Sequence, residues 1–143
     1  MTLMYPPGRG EVLICDFEHY LPKGEMVKQR PVIVLSPRIA QRADLATVVC
    51  LSTTLPFSIL GYHLEIIFDP PYCLKYSEKT MWLKGDMVYA MNLSRLSRPH
   101  SKDPITGDRI YPIRIIDPSI MRKVEKCVMI GLGINLDVWS QKE

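Results

Sequence analysis

The 143-residue sequence lacks the patterns that mark a zinc, secreted or membrane protein. Its four cysteines show no CxxC or Cys/His spacing, and three of them lie in or beside apolar runs, where a reduced thiol acts as a small hydrophobe. The opening residues, MTLMYPPGRGE, have neither the basic start nor the apolar core of a signal peptide. No apolar run is long enough to span a bilayer. We therefore expect a cytoplasmic protein with no metal, no other cofactor and no membrane contact.

The chain also has no strong excess of either charge and few glycines. Lysine and arginine number 18 against 15 acidic residues, so the formal net charge is +3, which permits an anionic partner but does not require one. Twelve prolines against eight glycines indicate many short elements separated by turns, which favours β-rich architecture over a helical bundle. The length predicts one domain, residues 1–143, that is large enough to bury a core.

Hydrophobic patterning predicts five strands and one helix. The apolar run that begins at Pro31 is unbroken and indicates a strand buried on both faces, whereas the fourth strand alternates apolar and polar residues. A helix is predicted after Asp117, a candidate N-cap, with Pro118 at its first position. The predicted strands are residues 10–17, 31–36, 46–54, 62–68 and 81–88, with residues 110–116 as a possible sixth. This pattern predicts a mainly β fold, a small barrel, with a C-terminal helix.

Polar residues interrupt three of these strands at or near their ends. Arg30 precedes the second strand, Thr53 and Thr54 close the third, and Lys84 and Asp86 lie in the fifth. If the second and third strands are antiparallel neighbours, Arg30 and Thr53 meet at one edge of the sheet. A guanidinium beside hydroxyl donors is suited to bind a phosphate. The alternative is that Arg30 is only a surface residue and that the threonines reflect β propensity.

Five sequence elements occur in an order that resembles a known family. They are GEVLICDF, a loop ending in RPVIVLSP, VVCLSTT, WLKGDMV and the terminal helix. In these elements the chain resembles the MazF/PemK toxins of type II toxin–antitoxin pairs. The resemblance implies an SH3-like small barrel of the MazF/PemK/CcdB type that forms a homodimer. Residues 99–116 are identified as an insertion relative to that pattern.

The resemblance also implies an activity and two partners. It implies a metal-independent endoribonuclease, an mRNA interferase, that cleaves single-stranded RNA at preferred sequences through attack of the substrate's 2′-hydroxyl. A cognate antitoxin with an acidic tail would neutralise it. Two alternatives stay open. One is a non-enzymatic interaction protein on the same barrel, as in related toxins that poison DNA gyrase; the other is an inactive member whose segment 99–116 covers the groove.

Three residues are implied as catalytic by their positions in the family's motifs. Arg30 would stabilise charge on the phosphate or donate a proton, and Thr53 would hydrogen-bond the phosphate. Glu25 would help to remove the 2′-hydroxyl proton, although it could equally be a solvated loop carboxylate. Some members place a histidine immediately before this acid, where the present chain has Gly24. The proton-transfer groups are therefore the least defined part of the mechanism.

Further residues are expected to contact RNA. Asp86 has a second interpretation, as a structural acid that caps backbone amides. The basic run 95–102 could bind either RNA or the antitoxin's acidic tail. The expected RNA-binding residues are Ser52, Thr54, Lys28, Lys84, Asp86 and Tyr20.

Overall fold

The structure is a computed structural model that describes residues 3, 6–17, 29–69, 71 and 79–140. Each of the five predicted strands is present, with its bounds shifted by a few residues. The fifth continues past the predicted end at residue 88. The strands are β1 (Val12–Asp16), β2 (Gln29–Val34), β3 (Leu45–Ser52), β4 (His63–Ile67), β5 (Thr80–Asn92), β6 (Leu96–Ser97), β7 (Ser101–Lys102) and β8 (Arg109–Ile110). The helices are α1 (Pro118–Gly131) and α2 (Leu136–Ser140), with single 3₁₀ turns at Ala40–Arg42 and Leu93–Arg95.

Six strands form one antiparallel sheet in the order β4-β5-β3-β2-β1-β6. β5 and β6 lie on opposite sides of the β3-β2-β1 group, yet only the 3₁₀ turn Leu93–Arg95 joins them. The sheet must therefore curl so that β5 approaches β6. No hydrogen-bonded ladder joins these two strands in the described part of the chain, so the barrel is partly open. The predicted mainly β, small-barrel fold with a C-terminal helix is confirmed.

The alternation of side chains gives the sheet two buried faces. One face, which includes Ile33, Val49 and Leu83, packs against α1 through Val124. The other face lines the inside of the curl and includes Leu13, Val32 and Val48. Both Val32 and Ile33 are fully buried. The unbroken apolar run of the second strand thus reflects burial on both faces, as predicted.

Helix α1 begins and ends as its sequence predicts. Asp117 occupies the N-cap position, although its side chain makes no capping hydrogen bond, and Pro118 is the first helical residue. The helix ends at Gly131, and Gly133 follows with a φ of 77° that favours glycine. The short helix α2 was not predicted. No helix in the described ranges is long and apolar enough to cross a membrane.

The segment 99–116 lies against the beginning of β1. Val12 donates a backbone hydrogen bond to Arg114 (2.9 Å), and Ile116 donates one to Gly10 (3.1 Å). The prediction of a sixth strand over residues 110–116 is wrong, since β8 ends at Ile110 and only an isolated bridge at residue 115 follows. These bonds lie at the opposite end of β1 from Asp16. The described contacts therefore do not place this segment over the beginning of β2, where Arg30 lies.

A buried ion pair ties the start of β1 to the chain beyond β6. Glu11 is 1% exposed, and its Oε1 accepts a hydrogen bond from Nε of Arg98 at 3.1 Å. Its Oε2 accepts one from the backbone N–H of Gly8 at 3.0 Å. Arg98 belongs to the basic run 95–102, so this member of the run has a structural partner and is not simply a solvated cation.

Candidate functional site

The end of β3 and the beginning of β2 lie side by side. These strands are antiparallel, with Val32 opposite Cys50 and Val34 opposite Val48. Continuing that register by two residues places Arg30 opposite Ser52, and Thr53 follows immediately. On its other side Arg30 is paired with Cys15 of β1. The structure therefore brings Arg30 and the serine–threonine end of β3 to one edge of the sheet, as the sequence predicts.

Arg30 is half-buried, and no described residue pairs with its charge. Its Nε is buried without a hydrogen bond, and no ion pair involves its guanidinium within the described part of the chain. The backbone is held by the buried Pro31, which restricts Arg30 to extended conformations, and by its pairing with β1. A fixed cation whose buried Nε has no hydrogen-bond acceptor among the described residues is suited to bind an anion.

The three hydroxyl residues after Leu51 differ in exposure. Ser52 is 3% exposed, and its Oγ accepts a hydrogen bond from the backbone N–H of Thr54 at 3.1 Å. This bond forms a local turn at which β3 ends. Thr53 and Thr54 are exposed in the bend that follows. Ser52 therefore shapes the bend, and the two threonines are the hydroxyl residues presented to solvent.

Lys84 and Asp86 approach the same region from β5. Lys84 is directly opposite Cys50, and the register between β3 and β5 then shifts, so that Val49 is opposite Val88. The intervening residues, which include Gly85, form a bulge. Asp86 is exposed in this bulge, and its carboxylate accepts no hydrogen bond from the described residues. The bulge thus turns an acidic side chain out beside Lys84.

The charged groups of this region all affect the pKa of the Cys50 thiol. Burial raises its pKa to about 12, and the charges of Cys15 and Asp86 act in the same direction. The positive charges of Arg30 and Lys84 oppose that shift. All four groups therefore surround one position in the sheet. Because the thiol stays protonated near neutral pH, Cys50 is a core residue and not a nucleophile.

Two further side chains lie on the same face, and the sequence analysis gave neither a role. Trp82 is opposite Ser52, and His63 of β4 is opposite Lys84. His63 Nδ1 accepts a hydrogen bond from the backbone N–H of Leu60 at 2.9 Å, which holds the imidazole ring in place. A cleft of about 350 Å³ runs beside His63, with Phe57, Lys84 and Asp86 among its other lining residues.

The remaining predicted site residues cannot be placed. Glu25, Lys28 and Tyr20 lie in the stretch 18–28, outside the described residues, as does Gly24. Within the described ranges no group of three histidine, cysteine, aspartate or glutamate side chains is arranged to hold a metal ion. The site as described thus consists of Arg30, the bend after Ser52 and the β5 bulge.

Comparison with known proteins gives one family match. Residues 8–132 match the family described as PemK-like, MazF-like toxin of type II toxin-antitoxin system. That range includes every described residue of the site. No curated protein matches the chain in sequence.

Solved structures with a similar fold include three mycobacterial proteins. An endoribonuclease in complex with its cognate antitoxin, from a mycobacterial species, is 17% identical with a TM-score of 0.58, covering 91% of this chain and 98% of its own. A second mycobacterial endoribonuclease is 19% identical with a TM-score of 0.54, covering 90% and 92%. The Mycobacterium tuberculosis toxin MazF-mt6 is 14% identical with a TM-score of 0.56, covering 87% and 98%.

Proposed function

The chain belongs to the family of PemK-like, MazF-like toxins of type II toxin–antitoxin systems, and on that premise we propose that it is an endoribonuclease. It cleaves single-stranded RNA at preferred sequences and needs no metal ion. The observation that carries the proposal is Arg30, a half-buried guanidinium that pairs with no described residue, beside the exposed Thr53 at one edge of the sheet. This pair offers a fixed cation and a hydroxyl to one phosphate.

The reaction follows from what such a pair can stabilise. The 2′-oxygen of the substrate forms a bond to the adjacent phosphorus while the bond from phosphorus to the next 5′-oxygen breaks. Negative charge gathers on the non-bridging oxygens, where Arg30 and Thr53 donate hydrogen bonds. Because Arg30 is held by Pro31 and by pairing to β1, little reorganisation is needed as the charge develops. The products are a cyclic phosphate and a 5′-hydroxyl.

Two protons must move during this step. One leaves the 2′-hydroxyl, and Glu25 is our proposed base for it. The other reaches the departing 5′-oxygen, for which Arg30 is the proposed donor. Cys50 takes no part, since burial keeps its thiol protonated. Exposed Thr54, together with Lys84 and Asp86 in the cleft beside β5, would bind the flanking nucleotides. The hydrogen bond to Ser52 Oγ stabilises the bend.

The proposal extends to partners and location. We infer that the protein acts in the cytoplasm as a homodimer and that a cognate antitoxin neutralises it. One structural relative is described as bound to its cognate antitoxin, which supports this inference. An antitoxin with an acidic tail would compete with RNA for the guanidinium of Arg30, because both ligands offer anionic oxygens.

The test is cleavage of a mixed-sequence RNA by the purified protein with and without chelator. We expect products that carry a cyclic phosphate and a 5′-hydroxyl, and no effect of chelator. Arg30→Ala should lower the cleavage rate by about 100-fold or more, because the main stabilising cation is lost. Arg122→Ala, at an exposed arginine of α1, is the matched control and should cleave normally. Undiminished cleavage by Arg30→Ala would refute the site, and no cleavage by the wild type would point to a non-enzymatic protein.

A further inference from the structure

A tryptophan lies in the same row of the sheet as Arg30. Directly opposite residues of neighbouring strands share a face, and Ser52 is opposite Trp82 while the β2–β3 register puts Arg30 opposite Ser52. Neighbouring strands are separated by about 4.8 Å, so the Cα atoms of Arg30 and Trp82 are about 10 Å apart. A phosphate held at Arg30 and the base of an adjoining nucleotide can span that separation.

Packing on the opposite face fixes the direction of Trp82. Its chain neighbours Met81 and Leu83 are fully buried against the helix side of the sheet. Because side chains alternate along a strand, Trp82 must point to the other face, which Arg30 and Lys84 share. If β5 were shifted by one residue so that the indole was buried, Met81 and Leu83 would both become exposed.

Trp82 is not a member of either hydrophobic core. It is half-buried, and it belongs neither to the cluster under α1 nor to the cluster inside the curl. Among the described residues its ring stacks on no other aromatic ring, and its indole N–H donates no hydrogen bond. A large aromatic side chain that is positioned by its strand, is partly exposed and belongs to neither core cluster is available to a ligand.

We propose that Trp82 stacks on the base of a nucleotide that adjoins the cleaved linkage, which makes it a binding residue of the RNA site. This inference rests on the proposed function, since it takes the ligand to be single-stranded RNA. The charges near Trp82 favour that ligand over an apolar peptide, because Arg30 and Lys84 lie on the same face of the sheet and attract phosphates beside an aromatic surface. Stacking tolerates any base, so Trp82 supplies affinity and position more than sequence preference.

An acidic residue next to Trp82, on the side away from Arg30, orients the bound RNA. Glu65 of β4 is opposite Trp82 and exposed. Its carboxylate repels phosphates, so the RNA backbone lies toward Arg30 and Lys84 while the base lies over the indole. Asp86 adds a second acid on the β5 side of this path. The nucleotide is thereby held with its phosphate at the cationic end of the row.

The experiment uses the fluorescence of Trp82 in the full chain. Trp139→Phe removes the other tryptophan of the sequence and leaves Trp82 as the sole indole emitter. The probe is a short single-stranded RNA containing the cleavage sequence, 2′-O-methylated throughout so that it cannot be cleaved. Stacking should quench the Trp82 emission in a saturable titration. The Trp82 variants lack this emitter, so their Kd values are measured by the fluorescence anisotropy of a dye-labelled form of the same RNA. Trp82→Ala should raise the Kd by about tenfold or more, and Trp82→Phe should recover most of the loss, because stacking needs a flat ring.

A set of probes, each with one abasic residue, locates the stacked base. For the wild type, removing the base at one position next to the cleaved linkage should weaken binding. With that abasic probe, Trp82→Ala should bind no more weakly than the wild type. Tyr111→Ala, a half-buried tyrosine whose ring lies 6.2 Å from that of His100, is the aromatic control and should bind normally. Thermal unfolding of each variant shows whether it is folded, and Trp82→Phe keeps the test valid if Trp82→Ala is not.

The outcomes separate this inference from the proposed function. Quenching and abasic coupling in a protein that cleaves no RNA would retain the stacking role and reject the nuclease. Cleavage by the wild type together with an unchanged Kd for folded Trp82→Ala would reject the stacking role and retain the nuclease. Saturable RNA binding without any change in Trp82 emission would also reject the stacking role. Binding of an acidic peptide at this face, in a protein that binds no RNA, would reject it as well.

Discussion

A Cβ atom placed on Gly85 would lie 2.5 Å from the backbone carbonyl oxygen of Cys127, so helix α1 rests directly on the backbone of β5. A Cβ on Gly131 would likewise lie 2.8 Å from the backbone nitrogen of Asp86. Two glycines, one on each element, thus allow the helix and the bulge to touch. The bulge that presents Asp86 is therefore held by the packing of α1.

We expect Gly85→Ala to destabilise the protein by at least about 2 kcal/mol, because the added methyl group meets backbone atoms that cannot rotate away. Gly61→Ala is the matched control, since a Cβ there would make an ordinary 3.5 Å contact with Ile130. Urea unfolding of both variants measures the difference. Equal stability of the two would contradict this packing.

The buried ion pair of Glu11 and Arg98 should matter far more than a surface pair. Glu11→Ala leaves a guanidinium with 18% exposure without its partner, and we expect a loss of about 3 kcal/mol. Glu125→Ala breaks the exposed pair with Arg9, whose side chains are 40% and 36% exposed, and should cost roughly 0–1 kcal/mol. Chemical denaturation of the two variants tests this order, and a smaller effect at Glu11 would oppose it.

Replacement of Arg30 by lysine should not preserve activity. An ammonium keeps the charge but loses the planar fork that donates two parallel hydrogen bonds to a phosphate. We expect kcat/KM for RNA cleavage to fall by roughly tenfold to 100-fold, with the fold and thermal stability retained. Arg122→Lys controls for the substitution itself. Full activity in Arg30→Lys would mean that the charge alone is sufficient.

The buried thiols predict a loss of stability at alkaline pH. Burial raises the pKa of Cys15 and of Cys50 from 9.0 to about 12. Between these values the unfolded chain has lost thiol protons that the folded chain still holds, so stability falls as pH rises from 9 toward 12. Each thiol contributes at most about 1.4 kcal/mol per pH unit in this window.

Cys50→Ala should therefore reduce the slope of unfolding free energy against pH above pH 9, although it leaves a small cavity and lowers stability at neutral pH. Urea unfolding at pH 7, 9 and 10 measures that slope. Lys126→Ala, at an exposed position of α1, should leave the slope unchanged. A slope in Cys50→Ala equal to that of the wild type would show that this thiol does not titrate on unfolding.

The sequence predicted the fold and the β2–β3 edge because both depend on local pattern. Burial of Pro31 to Val34 follows from an unbroken apolar run, and the antiparallel order follows from a short connection. The prediction of a strand at residues 110–116 was wrong. The spacing of the isoleucines there resembles that of an edge strand, but Pro112 has no N–H to donate to a β-ladder.

Trp82 and His63 could not be recognised from the sequence as neighbours of the site. Their places depend on the register of β5 against β3 and β4, and a bulge shifts that register between Val49 and Cys50. Gly85 suggests that a bulge exists but does not state how many residues it holds. The contact that fixes it, between α1 and the β5 backbone, joins parts of the chain more than forty residues apart.

The partial closure of the sheet has a consequence for motion. The strand that carries Arg30 continues, within two residues, into Val32 at the fully buried centre of the curl. The amide proton of Val32 should thus exchange with deuterated solvent only when the whole molecule opens, at the rate of global unfolding. The edge that carries Arg30 is then rigid in the resting protein, and any adjustment to the proposed RNA substrate must come from the bend after Ser52.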